Sequence, residues 1–235
     1  MIDIHTHILP CIDDGAKSIE ETLKMINEAY MAGFTEIITT SHYIDGHFDV
    51  NKDDRQLLID NIEELISVDL KLHNGAESYI TPNLVELYNE GQIPTLANSR
   101  YALFELPMNT EILYADSIIN ELINNNYIPV IAHPERYQFV QKNIKKAYDF
   151  IERGALLQCN YGSFIGRYGN EAQKIAIKLL KNDQITFLGT DTHRCDSIYT
   201  KIDDIIQKLE KTVGIDKVEE LTVENPKKIL NNEYI

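Results

Sequence analysis

No stretch of this chain approaches the ~20 consecutive apolar residues of a membrane-spanning helix. No basic N-terminus precedes an apolar run, so neither membrane insertion nor a secretory leader is expected. Cysteine is sparse: Cys11, Cys159 and Cys195 are an odd number with no CxxC spacing. That excludes a disulfide framework and points to a reducing, cytoplasmic setting. Basic residues are scarce too, 22 Lys and Arg against 37 Asp and Glu, for a net charge of −15. A protein that lives by neutralising phosphate backbones carries the opposite sign. No nucleic-acid partner is therefore expected, and the acidity reads chiefly as solubility. Linkers rich in Gly or Ser, low-complexity segments and repeats are all absent. One domain over residues 1–235 is expected, large enough to bury roughly 70% of its unfolded surface without staples.

What is present is a strand, loop and helix pattern repeated along the chain. Short apolar runs that suit buried strands fall at 2–5, 36–40, 70–73, 101–106, 128–132, 155–160 and 185–188. Helical spacing falls at 18–31, 52–67, 82–90, 112–125, 142–153, 169–182 and 197–212, and Pro226 opens a last short helix. In the first helix Leu23, Ile26, Ala29 and Tyr30 share a face, Ser18 with Glu21 forms a capping box, and Gly33 ends it. Seven such units predict an α/β fold with a parallel sheet. The runs are too apolar for half-exposed strands, so both sheet faces are buried.

Five of the seven histidines stand where a strand becomes a loop. The first strand delivers His5 and His7, and residues i and i+2 of an extended chain point the same way. Its loop adds Asp13, Asp14 and Gly15. The second strand ends at His42, the third leads into Glu77, and the fourth ends at Glu105 between apolar neighbours. The fifth ends at His133 before Pro134, Glu135 and Arg136. The sixth ends at Cys159 and Asn160, the seventh at Asp191, Thr192 and His193. An open sheet gathers ligands from a few strands, whereas a barrel gathers them from nearly all strands around one mouth. A barrel of seven β/α units follows.

Each residue alone has a plainer reading. A strand-end histidine is more often a hydrogen-bonded structural residue. Glu105 would serve as a buried partner of Arg136, and Asp14 with Gly15 as a turn. Collectively the plain reading fails, because buried histidines and carboxylates are costly unless paired or metal-bound. The donors are nitrogen and oxygen, which favours Mn²⁺, Zn²⁺ or Fe²⁺ over a thiolate site. His47 and His73 read as solvated or structural, Cys11 and Cys159 as small buried fillers.

These motifs together resemble the polymerase and histidinol phosphatase (PHP) superfamily. Within it the runs M-I-D-I-H-T-H-I-L-P-C-I-D-D-G-A-K-S, I-P-T-L-A-N-S-R-Y-A-L-F-E, P-V-I-A-H-P-E-R-Y and E-N-P-K-K-I-L look like the bacterial metal-dependent protein-tyrosine phosphatases of capsule and exopolysaccharide clusters. The resemblance spans the whole chain. It implies a distorted (β/α)7 barrel and three divalent cations, commonly Mn²⁺. By that resemblance His5, His7, Glu77 and Asp191 hold the first ion. Glu77 bridges to a second held with Glu105 and His133, and Asp14, His42 and His193 hold the third. Arg136 is the expected phosphate contact, and His42 or His193 assists the leaving group. Group members carry a second arginine after the D-x-H motif; here only Arg194 is available there, with Arg167 as another candidate. The resemblance further implies a phosphotyrosine substrate on a bacterial tyrosine kinase, and a homo-oligomer.

The cysteine-dependent route to the same reaction needs an arginine six positions after the nucleophile. Lys17, Ile165 and Lys201 stand there instead. Three other readings compete: a small-molecule phosphatase such as a histidinol-phosphate phosphatase, a nuclease-type module, and a regulatory module that kept the fold. The group-like runs disfavour the first, the acidity the second, and the intact ligand set the third.

Overall fold

The computed structural model describes residues 1–235. Nine strand segments make the sheet: β1 (Ile2–Thr6), β2 (Glu36–Thr39), β3 (His42–Tyr43), β4 (Lys71–Asn74), β5 (Glu77–Tyr79), β6 (Tyr101–Glu105), β7 (Ile128–Ala132), β8 (Leu156–Asn160) and β9 (Phe187–Gly189). Every pairing is parallel, in the orders β1-β2-β4 and β3-β5-β6-β7-β8-β9. The chain leaves β2 and re-enters as β3, and leaves β4 and re-enters as β5. Thr40 N–H reaches Thr6 O at 2.9 Å and Glu77 N–H reaches Thr40 O at 3.1 Å across these breaks. β9 then meets β1, where Asp191 N–H donates to His5 O at 2.7 Å and His7 N–H to Thr192 O at 2.9 Å. Seven strand positions thus close into a distorted barrel, and the breaks after β2 and β4 are the distortion.

The expected seven units are present, with differences at the edges. The sequence showed β4 but not β3 or β5, because a two- or three-residue segment of charged and polar residues has no apolar run to find. Helices α1 (Ile19–Met31), α2 (Lys52–Glu63), α3 (Leu84–Asn89), α4 (Ala115–Asn124), α6 (Lys145–Glu152) and α8 (Asn170–Lys181) fall within the expected segments, and α9 (Ile202–Val213) runs one residue past its own. Short α5 (Gln138–Lys142), α7 (Tyr161–Phe164) and α10 (Ile215–Glu219) were not anticipated. Pro226 sits in the first turn of α11 (Asn225–Leu230), which needs no N–H there.

Helix α1 shows how local chemistry sets a boundary. Ser18 Oγ accepts the Glu21 N–H at 3.2 Å, but the Glu21 carboxylate takes the Lys17 N–H at 2.9 Å rather than that of Ser18. Gly33 follows at φ +86°. The buried face is Thr22, Met25, Ile26 and Ala29, rotated from the expected one, and Tyr30 is 40% exposed. Thr22 can be buried because its hydroxyl donates to Ile8 O at 2.6 Å.

Two apolar clusters divide the work. The larger lies between barrel and helices and includes Ile37, Ala102, Phe104, Ile131, Leu157 and Leu188. The smaller plugs the barrel interior with Ile2, Ile4, Tyr101, Leu103, Val130 and Phe187. Alternation then aims Glu105, Gln158 and Asn160 inward on β6 and β8. β1 breaks the alternation. Ile4 belongs to the interior plug, yet the next residue, His5, bonds the inward Gln158. A register irregularity between Asp3 and Thr6 permits this, since a bulge re-aims the residues that follow it.

Candidate metal centre

All nine residues expected as metal ligands converge at the C-terminal mouth of the barrel. Glu77 is the hub. Its Oε1 lies 2.7 Å from His133 Nε2. Its Oε2 lies 3.2 Å from His5 Nε2, 3.3 Å from His7 Nε2 and 3.2 Å from His42 Nδ1. Asp191 Oδ1 stands 3.7 Å from His5 Nε2, 3.5 Å from His7 Nε2 and 3.5 Å from His193 Nδ1. Asp14 is on the open side, 3.3 Å from His193 Nε2 and 3.7 Å from His42 Nε2.

Within the mouth, four groupings bring ligand-capable atoms within bridging distance: His5, His7 and Asp191; His5, Glu77 and His133; His42, Glu77 and Glu105; and His7, Asp14, His42 and His193. Of the expected first set, His5, His7 and Asp191 group together without Glu77, and the expected third set groups with His7 added. The expected second set is divided, because Glu105 stands nearer His42 (3.5 Å) than His133 (3.9 Å).

The tautomers show what this cluster suits. His7 Nδ1 faces Asp13 Oδ2 at 2.8 Å, and a carboxylate only accepts, so Nδ1 carries the proton. His5 Nδ1 faces Gln158 Oε1 at 2.8 Å and likewise donates. Both neutral rings then turn bare Nε2 lone pairs toward each other at 3.3 Å, and both toward Glu77 Oε2. That oxygen is buried without a hydrogen-bond partner, as is His42 Nδ1. Acceptors crowded on acceptors repel unless protons or cations lie between them. The residues therefore fit divalent cations, and the donor set is nitrogen and oxygen throughout.

Without cations, protons take that place. Burial opposes a charged His7, but its bonds to Asp13 and Glu77 raise its pKa well above the ordinary value. His5 is raised against burial by Glu77 and Asp191. His42 is pushed down to about 4, burial outweighing Glu77. Glu105 is raised to about 9 by burial and by the charges of Glu77 and Asp191. Glu77 and Asp191 are lowered despite burial, His5 being the first counter-charge for each.

The backbone is bent to make the site. His133 (φ 35°) and Asp191 (φ 50°) both occupy the left-handed region. Such residues cost about 1–3 kcal/mol and cluster at functional sites. Gly15 packs its Cα against His7, where a Cβ would lie 2.2 Å from His7 O.

Arg136 does not pair with Glu105; its Nη1 donates to Asp191 Oδ2 at 2.6 Å, and its guanidinium lies 4.4 Å above the Tyr168 ring. Arg194 directs Nη1 to the carbonyls of Gly15 and His193, bracing the loop after β1. Arg167 is exposed. Cys11 is exposed rather than a buried filler and has a left-handed backbone at φ 60°; Cys159 is buried. His73 bonds Glu36 at 2.7 Å, away from the cluster, and His47 is exposed.

Sequence reasoning passed over the residues that hold these side chains. Asp13 accepts both His7 Nδ1–H and His42 N–H at 2.8 Å. Asp3 accepts from Thr190 Oγ1 at 2.6 Å and Tyr199 OH at 2.8 Å, tying β1 to β9. Asp13 was visible in the D-D-G run; Asp3 carried no signal beyond its place beside His5.

A family model described as capsular polysaccharide synthesis, CpsB/CapC, matches residues 1–231. The chain is 33% identical over 243 residues to tyrosine-protein phosphatase CpsB of Streptococcus pneumoniae, covering 100% of both. It is 32% identical over 238 residues to tyrosine-protein phosphatase YwqE of Bacillus subtilis, covering 100% of this chain and 93% of the relative. A crystal structure from the work on YwqE and CpsB, described as unique metal-dependent tyrosine phosphatases, superposes with a TM-score of 0.95 at 29% identity, covering 100% and 96%. Histidinol phosphate phosphatase of Lactococcus lactis, solved with zinc, L-histidinol and phosphate, superposes at 0.60 with 16% identity, covering 91% and 94%. At that identity the likeness is one of fold.

Proposed function

Because the chain belongs to the CpsB/CapC family of capsular polysaccharide synthesis, we propose that it is a metal-dependent protein-tyrosine phosphatase. The observation that carries this is the ring of bare imidazole nitrogens around the unpartnered Glu77 Oε2, with Arg136 beside it. The proposed cofactors are three divalent ions, Mn²⁺ first, with Zn²⁺ or Fe²⁺ as alternatives. His5, His7, Glu77 and Asp191 would hold the first, Glu77, Glu105 and His133 the second, and Asp14, His42 and His193 the third. When bound, such ions make water acidic and neutralise charge on a transferring phosphoryl group.

The protein's own groups do the rest. Arg136 keeps Nη1 on Asp191 and is left with further N–H donors for phosphoryl oxygens. Tyr168 supports its plane by a cation–π contact. Arg194, at the rim, is the proposed second arginine. His42 and His193 border the leaving group, which as a phenolate of pKa about 10 needs little protonic help. The proposed substrate is a tyrosine-phosphorylated kinase of the polysaccharide system, met in the cytoplasm by a homo-oligomer. No helix is long and apolar enough to cross a membrane.

Metal-stripped protein should not hydrolyse a phosphotyrosine peptide, and added Mn²⁺ should restore turnover. Histidinol phosphate run in parallel separates the substrate classes. Turnover of histidinol phosphate alone would keep the site and reject the tyrosine-phosphatase reading.

A further inference from the structure

We propose that Gln158 and Asn160 form a directed hydrogen-bond relay that fixes the His5 tautomer and the Asp191 carboxylate together. They would thereby be the positioning residues of the first cation site. The inference rests on the metal reading above and concerns residues that no ligand set includes.

The relay lies on one strand. Gln158 and Asn160 are i and i+2 on β8, both fully buried and both aimed into the barrel. Gln158 Oε1 faces His5 Nδ1 at 2.8 Å, and its Nε2 donates to Asn160 Oδ1 at 2.9 Å. Asn160 Nδ2 donates to Asp191 Oδ2 at 2.6 Å. His5 on β1 and Asp191 in the loop after β9, which would hold the first cation together, are thus joined by a third element that is closed to solvent.

An amide can be turned either way, but here its direction is set. His133 N–H points at the same Gln158 atom at 3.4 Å, and a backbone N–H can only donate. That atom is therefore the carbonyl oxygen. His5 must then donate from Nδ1, which leaves Nε2 as a lone pair facing Glu77 and Asp191. Gln158 must donate from Nε2, so Asn160 receives on oxygen and donates from nitrogen to Asp191. One backbone amide decides the polarity of every later bond. Asp191 Oδ2, held by Asn160 and Arg136, leaves Oδ1 free to face His5 and His7. A histidine ligand commonly has its other nitrogen engaged in this way, and loss of that partner costs about 10–100-fold in metal affinity.

The relay also explains a tight spot. Gly189 on β9 sits where a Cβ would come within 2.5 Å of His5 Cβ and 2.8 Å of Gln158 Nε2. The strand carries no side chain there, and Gln158 reaches past it to His5.

Two variants separate the arms. Gln158→Met keeps the length and removes both arms. Gln158→Glu keeps an acceptor for His5 but has no N–H for Asn160. Mn²⁺ affinity is measured by chelator competition, with metal content and melting temperature recorded beside it. Gln158→Met should lose 10–100-fold in affinity for the tightest cation while the fold persists, and Gln158→Glu should recover part of that loss. Wild-type affinity in folded Gln158→Met would overturn the relay. Should that variant not fold, the ¹⁵N spectrum of Zn²⁺-loaded wild-type protein decides. His5 protonated on Nδ1 supports the relay, and the opposite tautomer overturns it. Wild-type protein that binds no divalent cation would instead sink the metal reading itself.

Discussion

Gly15→Ala should inactivate the protein although position 15 is neither a ligand nor a substrate contact. A Cβ there would lie 2.2 Å from His7 O and 2.7 Å from His7 Cβ. Carbon and carbonyl oxygen approach no closer than about 3.3 Å, so the loop must retreat by about 1 Å. His7 cannot yield, being fully buried just past the end of β1 and bonded through its N–H to Thr192 O. The retreat carries Asp13 away from His7 Nδ1 and His42 N–H, both bonded at 2.8 Å. It carries Asp14 away from His193 and loosens the carbonyl that anchors Arg194. A displacement of this size costs about 100-fold in rate, or about 2.7 kcal/mol of transition-state stabilisation. The assay is kcat/KM on a phosphotyrosine peptide at saturating Mn²⁺, with a parallel Mn²⁺ titration. Gly46→Ala is the control. Its φ of +72° makes alanine strained there too, but no atom lies within 4 Å of the added Cβ. Activity of Gly15→Ala within threefold of wild type, with unchanged Mn²⁺ affinity, would refute the close-approach argument.

Asp13→Asn should weaken Mn²⁺ binding 10–100-fold by chelator competition, because Oδ2 accepts from His7 and His42 while Oδ1 accepts the Gly15 N–H at 2.8 Å, and an amide cannot accept on both of its arms. Arg136→Lys should raise KM about tenfold and change kcat less, since an ammonium cannot hold Asp191, lie flat on Tyr168 and present a planar fork at once; steady-state kinetics read the split. Replacing Cys11 and Cys195 with Ser should leave kcat/KM within twofold, as no cysteine chemistry is expected. In chelated protein, stability should fall as pH rises from 6.5 to 9. The raised histidines His5 and His7 lose their protons in that direction, and Glu105, raised to about 9, is forced to ionise while buried. His42 and His133, both lowered, act only below the ordinary histidine range. Mn²⁺ displaces the same protons, so its upward shift of the melting temperature should be larger at pH 8 than at pH 6; an equal shift at both would contradict the proton assignments.

Sequence alone carried the convergence of the candidate residues because its logic is local. A histidine or carboxylate just past an apolar run is visible in one dimension, and seven such events need one mouth to meet in. The partnerships were not visible. Glu105 and Arg136 are opposite in charge and both near strand ends, yet Arg136 bonds Asp191, 55 positions away, because the left-handed turns at His133 and Asp191 bring those loops together. The i, i+2 argument for His5 and His7 holds, but it would also place Ile4 outside the barrel. The irregularity in β1 lets Ile4 and His5 face inward together, and no periodicity reports a bulge. Gln158, and the roles of Asp13 and Asn160, escaped for a related reason. Their importance lies in which nitrogen of a histidine they bind, and a sequence does not say which of two nitrogens will be left bare. The cluster's chemistry turns on that choice. Were His5 and His7 to present N–H groups to Glu77 Oε2, the site would be a satisfied hydrogen-bond network with no use for a cation. Asp13 and Gln158 turn both rings the other way, and the repulsion that results is what a divalent ion would relieve, with protons in its place when it is absent.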